Sequence, residues 1–173
     1  MAKKRISYTN ILSKECIVSA ILQLTKDKPL SSISVSKLCN KAGVSRMTFY
    51  RNYDSIEDIF VKQLNEIFEE YKSDDIAQNT EGLYSDETHL IHYFNYIYTH
   101  RDFLNGLVHC GFDMFFLSML TQYIIETWSF KSDEYTLISF AGSLYNMFRI
   151  WSKNNYSDNT DDMIATITRL YSR

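Results

Sequence analysis

Apolar residues recur at intervals of three and four along most of this chain, and this spacing constrains the fold more than any other feature. One such run is Leu137, Phe140, Ala141, Leu144 and Phe148, which would lie along one face of a helix. The 173 residues include only five glycines and one proline, too few for the many turns of a β-rich fold. The sequence therefore predicts an all-α protein.

The helix boundaries are predicted from capping residues and from breaks in the apolar pattern. The first helix should run from Thr9 or Asn10 to Lys26. A longer helix should begin at Asp54-Ser-Ile-Glu57, which has the spacing of a capping box. The polar residues 73–88 predict a loop. Beyond it the pattern predicts helices over residues 88–100, 101–108, 113–128, 133–154 and 160–171.

Residues 34–53 contain two short predicted helices joined by a glycine turn. Ser34 and Ser45 are expected to cap their amino ends, and Gly43 lies where a positive φ is needed. This arrangement is a helix-turn-helix, whose second helix enters the major groove of DNA. The apolar seam between the two helices would consist of Val35, Leu38, Cys39, Val44 and Phe49.

The second short helix carries residue types that read DNA. Arg46 can bind guanine with two hydrogen bonds, and Thr48 can contact a base or a thymine methyl group. Tyr50 and Arg51, one turn further on, would meet phosphate oxygens, which position a protein without specifying sequence. The predicted DNA-binding residues are Lys4, Arg5, Ser36, Lys41, Ser45, Arg46, Met47, Thr48, Tyr50 and Arg51.

Charge divides the chain into two parts. Residues 1–56 hold ten lysines and arginines against three aspartates and glutamates, whereas residues 57–173 hold eight against eighteen. A basic head on an acidic body suggests that the head meets a polyanion, although basic residues also cluster by chance on solvated surfaces. We expect a DNA-binding domain over residues 1–56 and a helical ligand-binding and dimerisation domain over residues 57–173.

The segment from about residue 8 to residue 62 resembles the TetR/AcrR family of regulators. The resemblance rests on Ala-Gly-Val-Ser-x-x-Thr-x-Tyr at residues 42–50 and on Tyr53 and the acidic, apolar stretch 54–60 that follow. It implies nine or ten helices, a three-helix head and a divergent body that dimerises through its last two helices and often holds an inducer. Ile56 replaces a lysine common in the family, so backbone N–H groups alone would meet phosphate there. Tyr53 replaces a common phenylalanine.

Two apolar stripes near the carboxyl end could form the four-helix dimer interface that the resemblance implies, or could be buried inside one chain. The predicted interface residues are Leu137, Phe140, Ala141, Leu144, Phe148, Trp151, Ile164, Ile167 and Tyr171. Residues 103–107, 142–151 and 157–163 also look like the carboxyl-terminal domain of a subgroup that includes activators of dihydroxyacetone-kinase operons. That resemblance brings no ligand with it.

Aromatic side chains are frequent enough in the body to line a pocket, although aromatic stripes at helical spacing are more often plain core. The candidate pocket residues are His92, Tyr93, Tyr96, Phe112, Phe115, Phe116, Met119 and Tyr145. His89 and His92 lie three residues apart but lack a third metal ligand at a suitable spacing. We therefore expect no metal and no cofactor.

The leading hypothesis is a homodimeric regulator, a repressor or an activator, that binds palindromic operator DNA and responds to a small molecule or a partner protein. The alternative is an adaptor whose body binds a protein partner. An enzyme is disfavoured because the sequence lacks the phosphate-loop, dinucleotide, zinc-protease and Cys-x-x-Cys motifs. Three scattered cysteines and the lack of a long apolar segment indicate a cytoplasmic protein without a membrane span.

Overall fold

The computed structural model describes residues 8–171. Within this range the chain forms ten α-helices, one 3-10 turn at Leu30–Ser32 and no strand, which confirms the all-α prediction. The helices are α1 (Tyr8–Thr25), α2 (Val35–Ala42), α3 (Arg46–Asn52), α4 (Ile56–Lys72), α5 (Asp75–Gln78), α6 (Glu87–Thr99), α7 (Arg101–His109), α8 (Asp113–Trp128), α9 (Glu134–Lys153) and α10 (Thr160–Tyr171).

The predicted caps of α2 and α3 are present. The Ser34 hydroxyl accepts a hydrogen bond from the Lys37 N–H at 3.3 Å, and the Ser45 hydroxyl accepts one from the Thr48 N–H at 3.0 Å. Gly43 ends α2 with φ +67° and ψ +28°, a left-handed conformation that costs a residue with a Cβ about 1 kcal/mol or more. These local signals fix the angle between α2 and α3.

The amino end of α4 differs by one residue from the predicted capping box. Ser55, rather than Asp54, is the N-cap, and its hydroxyl accepts from the Asp58 N–H at 3.2 Å. The Asp58 carboxylate in turn accepts from the Asp54 N–H at 2.9 Å. Ser55 is the N-cap because it has the extended backbone that an N-cap needs, and the Asp58 side chain reaches back past it to the preceding residue, Asp54.

Residues 73–88, predicted as a loop, contain the short helix α5 and are tied to the rest of the body. The Tyr123 hydroxyl donates to the Ala77 carbonyl at 3.1 Å, and the Lys131 ammonium donates to the carbonyls of Glu81 and Gly82 at 2.7 and 2.6 Å. The segment is ordered by these long-range bonds, which no local pattern in the sequence reveals.

The apolar stripes of α9 and α10 are buried within the single chain. Leu137, Ala141, Phe148 and Ile167 have no measurable exposure, and Phe140, Leu144, Trp151 and Ile164 are also buried. The Tyr171 hydroxyl bonds to the Ser143 hydroxyl at 2.8 Å. These side chains pack against their own chain, and the dimer interface predicted for them stays a prediction.

The head and the body meet where α1 and α4 pack against α7. Gly106 of α7 lies so close to α1 that a Cβ there would come within 2.2 Å of a Leu22 methyl group. One turn before Gly106, Phe103 of α7 packs on the Phe60 ring, which also stacks on Phe112, with centroids 6.1 and 5.1 Å apart. No helix among the described residues is long and apolar enough to cross a membrane.

Candidate nucleic-acid interface

The head is a three-helix unit around a small apolar core. Leu38, Cys39 and Phe49 of the predicted seam are buried, and Val35 and Val44 are half-buried against them. The seam packs on Ile17 and Ile21 of α1, which have no measurable exposure. Burial of this face leaves the opposite face of α3 turned to solvent.

The exposed face of α3 carries the residues predicted to read DNA. Met47 is 82% exposed and Tyr50 is 52% exposed, and Arg46 and Arg51 are also exposed. The Thr48 side chain is half-buried, and its hydroxyl lies 2.9 Å from the Ser45 hydroxyl. The Ser45 and Thr48 hydroxyls thus lie together at the amino end of the helix, and the neighbouring side chains of Arg46 and Met47 are exposed to solvent.

The remaining predicted DNA-binding residues flank this helix. Ser36 and Lys41 are exposed on α2. Lys4 and Arg5 lie outside the described residues. The structure thus brings α2 and α3 side chains to one end of the molecule, around the amino end of α3.

Two further cations of the head were not among the predicted contacts. Lys28, just after α1, lies within side-chain hydrogen-bonding reach of Lys37 of α2; this contact, followed by desolvation and the positive charge of Lys28, lowers the pKa of the Lys37 ammonium. The two are nine positions apart in the sequence, and the fold of the head brings them together. Such a pair raises the positive potential of the head, which favours phosphate binding.

The amino end of α4 does not offer the bare backbone groups expected for a phosphate contact. Ile56 is buried, and its neighbours Glu57 and Asp58 place two carboxylates in the first turn. Burial raises the pKa of Asp58, but hydrogen bonds from Lys62 and from the Asp54 N–H outweigh it, so this pKa lies below its ordinary value of 3.8. A phosphate here would meet negative charge.

Lys62 joins α3 to α4 at this point. Its ammonium lies 2.7 Å from the Asp58 carboxylate and donates to the carbonyl of Asn52, the last residue of α3, at 2.9 Å. The same ammonium lies 5.8 Å from the centroid of the Tyr53 ring. This contact fixes the carboxyl end of the DNA-facing helix on the body.

The predicted ligand-pocket residues are divided by the structure. Tyr93, Tyr96 and Phe116 line one apolar cavity together with Tyr71 and Leu120. The other five do not line this cavity. His92 stacks on Tyr71, and Phe112 stacks on Phe60. Tyr145 bonds to Asp113 and Arg149, and Phe115 and Met119 are partly buried in the core.

The histidines do not form a metal site with the residues described. The His92 Nε2 lies 3.5 Å from the Asp74 carboxylate, whereas the His89 Nε2 bonds to the Asn79 carbonyl at 2.7 Å. No group of three or more potential ligands occurs among residues 8–171.

Comparisons with known proteins identify the head. Residues 17–62 match the family model for bacterial regulatory proteins of the tetR family. The crystal structure of Lin0861 from Listeria innocua has the same fold, with a TM-score of 0.75 and 16% identity over 98% of this chain and 94% of that chain. No curated protein sequence matches this chain.

The matched segment contains α2 and α3, and with them the exposed face of α3 formed by Arg46, Met47, Tyr50 and Arg51, which we call the recognition face. The recognition face, the basic head and the family match agree on one role. The chain therefore carries, over residues 17–62, a DNA-binding domain of the kind found in bacterial regulatory proteins of the tetR family.

Proposed function

We propose that this chain is a transcriptional regulator that binds a palindromic operator as a homodimer, with α3 of each subunit in the major groove, and that a small molecule modulates the binding. The observation that carries this proposal is the outward face of α3, where Arg46, Met47, Tyr50 and Arg51 are exposed on a helix capped at its amino end. A rigid helix end with an exposed guanidinium is what base reading requires.

In this proposal the residues of the head have separate roles. Arg46 and Met47 contact base edges, whereas Tyr50, Arg51, Lys41 and the cations outside the described residues contact phosphates. The Ser45 and Thr48 hydroxyls, 2.9 Å apart, stabilise the helix end. Residues 1–56 would form the DNA-binding domain and residues 57–173 the regulatory body, in the cytoplasm where the operator is found.

Selection of binding sites from a random DNA library tests this proposal. Wild type is run beside Arg46→Ala at two salt concentrations, with Lys72→Ala as a control that removes a cation from the body. We expect a palindromic consensus with half-sites about one helical turn apart, relaxed by Arg46→Ala and unchanged by Lys72→Ala. Affinity should fall steeply with salt. Absence of enrichment by the folded wild type would contradict the proposal.

The dimer surface we propose is the exposed face of α9, continued by the end of α10. Tyr135, Ile138 and Ile150 of α9 are 84%, 43% and 58% exposed, and Leu170 of α10 is 60% exposed. Gly142 lies between them at helical spacing, and a Cβ built there meets nothing within 4 Å, so a second helix could approach closely. An apolar face of this kind fits a second copy of the chain.

Sedimentation of charged variants tests this surface. Ile138→Glu should convert a two-chain particle into a monomer at micromolar concentration, because a carboxylate would be buried in an apolar contact. Met114→Glu is the matched control, since Met114 is 65% exposed on α8 and lies off this face. Retention of the dimer by a folded Ile138→Glu protein, or a monomeric wild type, would reject the assignment.

A further inference from the structure

Three polar atoms of α6 are fully buried and lack a hydrogen-bond partner within the described part of the chain: the His89 Nδ1, the His92 Nε2 and the Tyr93 hydroxyl. The His92 Nε2 faces the Asp74 carboxylate at 3.5 Å, which leaves the atoms of His89 and Tyr93 to be explained. The residues are four apart, so they lie on adjacent turns of the same helix face. An unpaired buried polar group is costly, and two such groups side by side call for an explanation.

The available hydrogen bonds define what each atom can do. The His89 Nε2 lies 2.7 Å from the Asn79 carbonyl, and a carbonyl only accepts, so Nε2 carries the proton. In the neutral ring this leaves a free lone pair on Nδ1. The Tyr93 hydroxyl can both donate and accept, and burial raises its pKa, so it stays protonated. Together they match a group that donates to one atom and accepts from the other.

Both residues line the same apolar cavity between α6, α8 and α9. Its volume is about 30 Å³, and its walls include the rings of Tyr71, Tyr123 and Trp128. A second cavity of about 30 Å³ lies beside it, against α4 and α7. Tyr71, Tyr93 and Leu120 line both cavities and so form the partition between them. Each cavity alone has room for little more than a water molecule.

The lining of the two cavities restricts the chemistry of a ligand. No lysine, arginine, aspartate or glutamate lines either cavity, so a charged group would be buried without a partner. Aromatic walls favour a flat ring. Leu120 is the only aliphatic member of the partition, and its side chain is the one that a ring can displace without losing an aromatic contact.

We propose that the two cavities form one binding site for a small uncharged aromatic molecule bearing a hydroxyl group. The ring takes the space of the displaced Leu120 side chain, and the hydroxyl donates to the His89 Nδ1 and accepts from the Tyr93 hydroxyl. This inference rests on the proposed function in one respect: a molecule bound at this site is taken to be the signal that changes operator binding.

Calorimetry with phenol and its isostere toluene tests the site without DNA. We expect wild type to bind phenol with a Kd of no more than about 10 mM. Its affinity for phenol should exceed that for toluene at least tenfold, since a site built to hydrogen-bond a hydroxyl rejects the analogue lacking it. Leu120→Ala should bind phenol at least tenfold more tightly than wild type, because the partition is then open. No binding of phenol to wild type, or equal binding of toluene, would overturn the proposal.

The role of Tyr93 is separated from mere packing by Tyr93→Phe. This variant should leave the melting temperature of the free protein unchanged or raised, because the hydroxyl it removes is unpaired, and should reduce the preference for phenol at least fivefold. Tyr98→Phe, on an exposed residue of the same helix, is the control. A Tyr93→Phe protein that is less stable and keeps the phenol preference would show that the hydroxyl serves only the fold.

Fluorescence anisotropy with a labelled operator, taken from the binding-site selection described above, tests whether the site regulates DNA binding. Saturating phenol should change the operator Kd of wild type at least fivefold and that of Tyr93→Phe much less. Binding of phenol with no change in operator Kd would refute regulation from this site. Failure of the free protein to bind any operator would instead refute the proposed function, while the calorimetry would still decide on the site.

Discussion

Lys62 is the side chain through which the stability of the head can be tested most directly. Its ammonium lies 2.7 Å from the Asp58 carboxylate and 2.9 Å from the Asn52 carbonyl oxygen. Asp54 is also within 3.7 Å but is 92% exposed, so its contribution is neglected. Lys62→Met removes both hydrogen bonds and keeps the length of the aliphatic chain.

The expected loss follows from the two contacts. The Lys62 side chain is 41% exposed, so its ion pair with Asp58, four residues earlier on the same helix, contributes only about 0.5 kcal/mol. The bond to the Asn52 carbonyl adds about 1 kcal/mol. Lys62→Met should therefore lower the free energy of unfolding by about 1.5 kcal/mol at pH 7, and Tm by about 3–6 °C.

The pH dependence has a definite sign. The pKa of Asp58 is lowered in the folded protein, so its stabilisation is present above the ordinary value of 3.8 and is lost as pH falls through the folded value. The hydrogen bond to Asp58 raises the pKa of Lys62, whose contribution is present below 10.5 and is lost as pH rises through the folded value. The difference in the free energy of unfolding between wild type and Lys62→Met should thus be constant between these two pH limits. It should become smaller in acid, where Asp58 is protonated.

Urea denaturation of wild type and variants at several pH values measures this difference. Lys72→Met is the control, because Lys72 pairs at 3.3 Å with a Glu69 side chain that is 74% exposed. This substitution should lower the free energy of unfolding by no more than about 0.5 kcal/mol. Equal losses for Lys62→Met and Lys72→Met at pH 7, or a Lys62→Met loss that does not narrow below pH 3.8, would refute the reasoning.

Three further predictions concern the caps and the core. Ser45→Ala should lose about 1 kcal/mol by denaturation and weaken operator binding, because the Thr48 N–H and hydroxyl lose their partner. Gly43→Ala should lower the free energy of unfolding by about 1 kcal/mol because its φ is +67°. No steric clash adds to this loss, since a Cβ there meets nothing within 4 Å. Leu137→Ala should lose about 2–5 kcal/mol at every protein concentration, because the side chain is buried inside one chain. A loss that vanishes on dilution would return Leu137 to the dimer contact.

The sequence predicts the head well because its signals are local. Ser34, Gly43 and Ser45 each act within four residues, and a backbone cap depends on nothing further away. The start of α4 is ambiguous from sequence because Asp54 and Ser55 are both good N-cap residues. Only the backbone angles select Ser55, whose φ and ψ are −146° and 176°.

In the body the periodicity predicts which faces are buried but not what buries them. The stripe that contains Leu137 and Phe148 looks the same whether it faces its own chain or a partner. The candidate pocket had the same difficulty. His92 is the histidine predicted for the pocket, but His89 shares the helix face of Tyr93 and lines its cavity, whereas His92 lies against Tyr71 and Asp74.

The two ends of α4 connect the proposed ligand site to the recognition helix. Near its amino end Lys62 bonds to the last carbonyl of α3, and near its carboxyl end Tyr71 forms part of the partition between the two cavities. The 17 residues of α4 include no glycine or proline, so the helix should move as a unit. A ligand that shifts Tyr71 would therefore shift α3 as well. For this reason we expect the effect of phenol on the operator to disappear in Lys62→Met, although phenol still binds.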